Sequence, residues 1–194
     1  MVLIAATAAP AGAAALNCGA LCGQWRLDAA ASDPLEAHVD AALQKYREPR
    51  DRRLPRGNPE NLQIAAEVEL RQSLGPIDDR PNRSGLREEL LTALRPPETL
   101  QISVAGSDVS INGDARGARR YSPGVPHARV DAIGTAKIKA TLAPGKFTLN
   151  ERYDRKQEYT ETYTVQRDGS LVVERQIERP GLKSLRLRAV YKPG

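Results

Sequence analysis

Residues 146–191 read KFTLNERYDRKQEYTETYTVQRDGSLVVERQIERPGLKSLRLRAVY. Apolar and polar residues alternate along this stretch, and the alternation is interrupted at Asp154 to Glu158, at Asp168-Gly169 and at Pro180-Gly181. Alternation with a period of two is typical of a strand with one buried face, and Asp-Gly and Pro-Gly pairs are typical of turns. The stretch therefore predicts four antiparallel strands joined by short turns.

The turn at Asp168-Gly169 decides which side chains share a face. A two-residue turn would set Tyr163 opposite Glu174 and mix the apolar and polar faces. A three-residue turn with Gly169 as the left-handed residue of a β-bulge restores the match, and we choose it because a slip of one residue reverses every side chain. It predicts the pairs Val165–Leu171, Tyr163–Val173, Glu161–Arg175 and Tyr159–Ile177.

The other hairpins are read in the same way. Turns at 105–108 and 143–146 predict the pairs Val104–Val109, Ile102–Ile111, Leu142–Phe147 and Ala140–Leu149. A turn at 154–158 predicts Phe147–Val165, Leu149–Tyr163, Glu151–Glu161 and Tyr153–Tyr159. The last strand, with Leu185, Leu187, Ala189 and Tyr191, is expected to join through residues 179–182.

These registers place Glu151, Glu161 and Arg175 in one row on the core-facing side of three neighbouring strands. A buried charge without a partner costs several kcal/mol, so we expect the arginine to be shared between the two carboxylates. Three interpretations stay open. The row is an internal ion-pair ladder or a water-facing barrel mouth, a polar anchor in a ligand cavity, or a paired-carboxylate acid/base site.

A helical insert is predicted over residues 33–95, after a short strand that contains Trp25. The first helix begins with Asp33 as N-cap, Pro34 at the first position and Glu36 completing a capping box. Asn58-Pro59 opens a second helix in the same way. Ser84 precedes a third helix, whose apolar face is Leu86, Leu90, Leu91 and Leu94.

A basic segment, Lys45 to Arg56, separates the first two predicted helices and reads KYREPRDRRLPR. It is either a solvated loop or a contact for an anionic membrane surface. We favour the solvated loop, because a formal net charge of +5 is modest and a single aromatic residue, Tyr46, lies among the basic ones, where stacking on bases would call for several.

The N-terminal residues 1–15 are apolar, rich in alanine, and end in an A-x-A pattern, which predicts a signal peptide and a periplasmic or secreted protein. Residues 16–194 would then form a single domain, with the helical insert at 33–95 and a β-meander at 99–192. Cys18 and Cys22 follow the predicted cleavage site, so a local disulfide is favoured over lipid attachment at Cys18.

Composition and motifs narrow the function classes. Aromatic residues make up only 4 % of the chain, which argues against a base-stacking platform, and we expect no nucleic-acid partner. Two cysteines without nearby histidine make an incomplete zinc set, and no phosphate-binding glycine loop or Ser/His/Asp arrangement is present. We therefore expect no metal, no cofactor and no catalytic residue, and favour a binding protein over an enzyme.

Several segments resemble the lipocalin-like small β proteins that Gram-negative bacteria secrete. They are Gly23 to Asp28 with Ser32-Asp33, Arg119-Arg120-Tyr121, Gly124-Val125-Pro126-His127, Glu161-Thr162-Tyr163 with Asp168 to Leu171, and the terminal Arg188-Ala189-Val190-Tyr191. The resemblance covers roughly residues 23–27 and 99–192. The helical insert departs from lipocalins, in which the first strand leads directly into the second. Most such proteins have no assigned activity, so the resemblance implies fold and compartment rather than chemistry.

The sequence thus predicts a mainly β (α+β) fold. We expect a lipocalin-like antiparallel barrel or curved meander of about eight strands, with a three-helix insert after the first strand. One hypothesis is a periplasmic protein that binds a small apolar or amphipathic ligand in a cavity of about 300 Å³ or more, lined by Leu149, Tyr163, Val173 and Leu187. The alternative is an envelope interaction module with a solid core, a basic contact loop and an exposed apolar patch. The predicted ligand-binding residues are Glu151, Glu161, Arg175, Tyr159, Tyr163 and Trp25.

Overall fold

A computed structural model of the protein describes residues 18–44, 46, 82–113, 117–131, 134–154 and 156–194. Within this part of the chain one antiparallel sheet of ten strands carries two α-helices. The strands are β1 (Gly23–Leu27), β2 (Thr99–Ala105), β3 (Asp108–Gly113), β4 (Gly117–Tyr121), β5 (His127–Asp131), β6 (Gly134–Ala143), β7 (Lys146–Tyr153), β8 (Gln157–Val165), β9 (Leu171–Arg179) and β10 (Leu182–Pro193). The helices are α1 (Leu35–Leu43) and α2 (Arg83–Leu94).

The sheet is a meander that curls into a half-barrel. Its order is β4-β3-β2-β1-β10-β9-β8-β7-β6-β5, so the first strand pairs with the last, and β4 and β5 are the two edges. The predicted mainly β antiparallel fold is confirmed, but with ten strands in place of eight. The strand count differs because the residues between 113 and 134, where no strands were predicted, contribute β4 and β5.

Most predicted registers are confirmed. Gly169 is left-handed at φ +82°, and Val165–Leu171, Tyr163–Val173, Glu161–Arg175 and Tyr159–Ile177 are paired as expected. The hairpins that join β2 to β3 and β6 to β7 also have the predicted pairs, and Leu182 pairs with Arg179 at the last turn.

The predicted register between β7 and β8 is wrong by two residues. Phe147 pairs with Tyr163, Leu149 with Glu161, Glu151 with Tyr159, and Tyr153 with Gln157. The loop is shorter than predicted because it closes over residues 154–156, with Lys156 left-handed at φ 58°. A shift of two keeps every side chain on its predicted face, since faces alternate with a period of two.

The two helices cover one side of the half-barrel. Their leucines pack on β9 and β10 in a cluster formed by Leu35, Val39, Leu43, Tyr46, Leu86, Leu90, Leu94, Ile177, Leu182, Leu185 and Leu187. Full burial of each such side chain stabilises the fold by roughly 1.5–3 kcal/mol. The leucine faces therefore bury against the sheet. No described helix is long and apolar enough to span a membrane.

Both described helices begin differently from the prediction. Pro34 is the N-cap of α1, because the Asp33 carboxylate accepts a hydrogen bond from the backbone N–H of Arg188 at 2.8 Å. Asn82, not Ser84, caps α2, and its side chain accepts from the N–H of Gly85. The helix predicted from Asn58-Pro59 lies outside the described residues, as do residues 1–15, which were predicted to form a signal peptide, and nearly all of the basic segment.

A disulfide joins Cys18 and Cys22, whose Cα atoms are 5.5 Å apart. The local disulfide predicted for these cysteines is therefore confirmed. The disulfide spans a 3₁₀ turn, Gly19–Leu21, whose Leu21 carbonyl accepts a 3.1 Å hydrogen bond from the indole Nε1 of Trp25. Trp25 therefore belongs to the main core of the sheet, with 5 % of its surface exposed.

Candidate ligand-binding site

A cavity of about 400 Å³ lies between the inner face of the sheet and the C-terminal end of α2. Most of the strand residues that line it are odd-numbered, because strand alternation directs one face of β4, β5, β7, β8 and β9 inward. Its lining residues are Thr92, Ala93, Leu94, Arg95, Arg119, Arg129, Leu149, Glu151, Tyr153, Tyr159, Thr160, Glu161, Arg175, Gln176 and Ile177. The lining thus mixes apolar and aromatic side chains with arginines and glutamates, and Leu149 pairs directly with Glu161.

Glu161 is the central residue among the charged side chains of the cavity lining. Its carboxylate accepts hydrogen bonds from Arg119 Nη2 at 3.0 Å and from the Tyr163 hydroxyl at 2.6 Å. Arg175, its cross-strand partner on β9, brings Nε within 3.3 Å of the other oxygen. Glu161 is 7 % and Arg175 4 % exposed, so this is a buried carboxylate between two guanidinium groups. The group carries one net positive charge.

Glu151 has a separate partner. Its carboxylate accepts two hydrogen bonds from Arg129 on β5, at 3.2 and 2.9 Å, and Arg129 Nη2 also lies 3.4 Å from the Tyr153 hydroxyl. The two-pronged geometry fixes the guanidinium plane against the carboxylate. Glu151 does not share Arg175 with Glu161, contrary to the prediction. The two carboxylates therefore do not form the directly facing pair that the acid/base interpretation requires.

Arg175 also connects the site to α2. Its Nη1 donates a 3.1 Å hydrogen bond to the carbonyl oxygen of Leu94, the last residue of that helix. Its Nε is buried and makes no hydrogen bond to a described residue, because the N–H does not point at the nearby Glu161 oxygen. A buried N–H without an acceptor is costly. This Nε is enclosed, so Arg175 could contact a ligand only through its terminal guanidinium nitrogens.

The ionisation of the site is fixed by burial and by charge. Burial raises the pKa of the Tyr163 hydroxyl well above its ordinary value, and the Glu161 carboxylate raises it further. Burial also raises the pKa of Tyr121, against the opposing effect of Arg119. Burial by itself would lower the pKa of Arg119, but Glu161 and the two tyrosines outweigh it and the pKa is raised. At neutral pH the tyrosines are therefore neutral and Arg119 is a cation.

The structure places the predicted binding residues in three groups. Glu151, Glu161, Arg175 and Tyr159 line the cavity. Tyr163 lies beneath it, fully buried, and acts through its hydrogen bond to Glu161. Trp25 does not line it.

The predicted apolar lining was right for Leu149 and wrong for Tyr163, Val173 and Leu187. These three side chains are buried in the core and do not line the cavity. Side chains on the correct face are thus not all at the cavity, because core packing fills the space under one end of the sheet.

The prediction omitted three arginines, namely Arg119, Arg129 and Arg95. Arg119 had a sequence signal, since it alternates with Tyr121 and so shares its inward face. Arg129 had none, because Ala128 and Val130 beside it suggest that the apolar residues face inward. Val130 instead points outward and is 79 % exposed.

The fold and site together define the class, which is a half-barrel whose inner face and second helix border a cavity. No protein-family model matches the chain, and no curated protein matches it in sequence. Among solved structures it is similar to Caenorhabditis elegans lipid binding protein 8, with 12 % identity over 90 % of this chain and 96 % of that chain, and a TM-score of 0.50. At this identity the likeness is one of fold.

Two further solved structures also match. They are the zebrafish ileal bile acid-binding protein with cholic acid (13 % identity, 91 % and 100 % of the two chains, TM-score 0.47) and a secretory abundant heat soluble protein of Ramazzottius varieornatus (12 %, 93 % and 100 %, TM-score 0.48). The expected mainly β, antiparallel architecture is confirmed by the strand order of the sheet itself. Secretion and a Gram-negative source stay predictions.

Proposed function

We propose that the protein binds one small apolar or amphipathic molecule in the half-barrel cavity, without catalysis, in the periplasm or outside the cell. The cavity carries the proposal. Its volume of about 400 Å³ lies in the range typical of small-molecule sites, and its lining combines apolar side chains with a few convergent polar groups. Leu149, Tyr159 and Ile177 would contact the apolar part of the ligand, and the arginines would hold its polar part.

Two further observations support it. The fold is shared with a nematode protein whose name describes it as lipid binding. The Cys18–Cys22 disulfide suits an oxidising compartment, which agrees with the signal peptide predicted from residues 1–15. The solid-core alternative predicts no cavity and a large apolar patch, whereas the described residues contain the cavity and expose only two large apolar side chains, Val125 and Val130.

Titration with the neutral fluorescent probe N-phenyl-1-naphthylamine tests this function. We expect saturable binding at a single site. Ala93 lines the cavity from α2, so Ala93→Trp should fill its mouth and weaken binding at least about tenfold, equivalent to about 1.4 kcal/mol. Glu88→Trp is the matched control, because Glu88 is exposed on the same helix and does not line the cavity. Absence of saturable binding, or equal affinity in both variants, would contradict the proposal.

A further inference from the structure

The charges around the cavity do not balance. Four arginines line it, at positions 95, 119, 129 and 175, against two glutamates, Glu151 and Glu161. Arg129 is neutralised by Glu151, and Glu161 neutralises one charge of the pair Arg119 and Arg175. One positive charge therefore remains in the buried group, and a second is on Arg95.

Arg95 is placed beside the unsatisfied group. It follows Leu94 directly, and the carbonyl of Leu94 accepts the hydrogen bond from Arg175 Nη1 at 3.1 Å. Arg95 is thus the residue that follows the carbonyl group to which Arg175 donates its hydrogen bond. Its side chain is exposed and forms no ion pair or hydrogen bond with any described residue. Arg95 and Arg175 therefore both border the cavity at the C-terminal end of α2.

We propose that this end of the cavity binds the head group of a phosphate monoester attached to an apolar chain, with Arg95 and Arg175 as its ligands. The inference rests on the proposed function and names the ligand class. A carboxylate or sulfate would neutralise one of the two excess charges, whereas a phosphate monoester carries a charge of about −1.5 to −2 at pH 7 and neutralises both. Its oxygens also match the planar fork of a guanidinium group.

The buried surroundings strengthen the preference for the doubly charged group. Arg175 is only 4 % exposed, so little solvent offsets its charge when the site is empty. The head group and the apolar chain of the ligand would contact different residues. The head group would lie at Arg95 and Arg175, while the chain would extend along Leu149, Tyr159 and Ile177.

Calorimetric titration with decyl phosphate, decyl sulfate and 1-decanol, each below its micelle concentration, tests the inference. The three share one chain and differ in head-group charge. We expect decyl phosphate to bind about tenfold tighter than decyl sulfate at pH 7.5, and the preference to disappear at pH 5, where the phosphate carries a single charge because its second pKa is about 6. Arg95→Gln should remove the preference for decyl phosphate over decyl sulfate. Arg95 is exposed, so this variant should fold.

Arg87→Gln is the matched control, since Arg87 is on the same helix, pairs with Asp40 and does not line the cavity. Equal affinity for decyl phosphate and decyl sulfate in the wild type, or a preference retained in Arg95→Gln, would overturn the inference. If 1-decanol binds in those cases, the proposed function stands and only the ligand class is wrong. If none of the three compounds binds, the proposed function fails as well.

Discussion

Arg119 donates a 3.0 Å hydrogen bond to Glu161 across the interior of the half-barrel. Arg119 is on β4, one edge of the sheet, and Glu161 is on β8, six strands away in the sheet order. The contact therefore joins two strands directly across the interior. Backbone hydrogen bonds connect the same two strands only by way of the strands between them. The same carboxylate lies against Arg175, so Glu161 both braces the half-barrel and neutralises one of the two positive charges beside it.

Replacing this carboxylate tests its structural role. Glu161→Gln leaves two guanidinium groups at a buried site with no ionic partner, and loss of one member of a buried ion pair costs roughly 3–5 kcal/mol. We expect the free energy of unfolding in urea to fall by about that amount. Glu158→Gln is the control, because the Glu158–Arg152 pair is more exposed and should contribute less than about 1 kcal/mol. Equal losses of unfolding free energy in the two variants would show that the ion pairs of Glu161 do not stabilise the half-barrel.

The buried tyrosines predict a loss of stability in alkali. The pKa of Tyr163 is raised above the ordinary 10.0, so the folded state holds its proton more tightly than the unfolded state. That contribution is fully present below pH 10 and is lost as the pH rises above it. The raised pKa of Tyr121 acts in the same direction.

Absorbance at 295 nm measures this ionisation directly. We expect Tyr121 and Tyr163 to ionise together with unfolding, and Tyr163→Phe to show a shallower decline of unfolding free energy above pH 10. Ionisation of all tyrosines near pH 10 with the fold intact would contradict this prediction.

The bulge at Gly169 gives a third prediction. A left-handed conformation at φ +82° costs an ordinary L-residue about 1–2 kcal/mol, so Gly169→Ala should lower the unfolding free energy by about that amount. No other atom crowds the position, and the loss would thus be conformational. Gly169→Asn should lose less, because asparagine visits this region more readily. Thermal unfolding of both variants measures the difference, and equal losses would argue against backbone strain as the cause.

The sequence predicts a register where a turn has a distinctive residue. Gly169 marks its hairpin, and the β8–β9 register followed from it. The β7–β8 hairpin contains no glycine or proline at its turn, and nothing in its sequence shows that Lys156 is left-handed. Loop length was therefore ambiguous, and the predicted pairs were displaced by two residues.

The candidate site was predictable only where its contacts follow strand pairing. Glu161 and Arg175 are direct cross-strand neighbours, so register alone brought them together. Arg119 reaches Glu161 across 42 residues of sequence, and this contact depends on how the sheet curls. Alternation gives the face of a side chain but not the partner it meets across the interior. The Asp33 cap was wrong for a related reason, since β10 offers its carboxylate a backbone N–H that local sequence does not reveal.

The most direct test of the central claim is native mass spectrometry of the protein purified without detergent from its own host. We predict a folded population heavier than the chain by the mass of one small molecule, which is released on denaturation and absent from Ala93→Trp. A protein found only at the mass of the bare chain, with no uptake of an added single-chain amphiphile, would contradict the account. A stoichiometric protein partner in place of the small molecule would favour the interaction module instead.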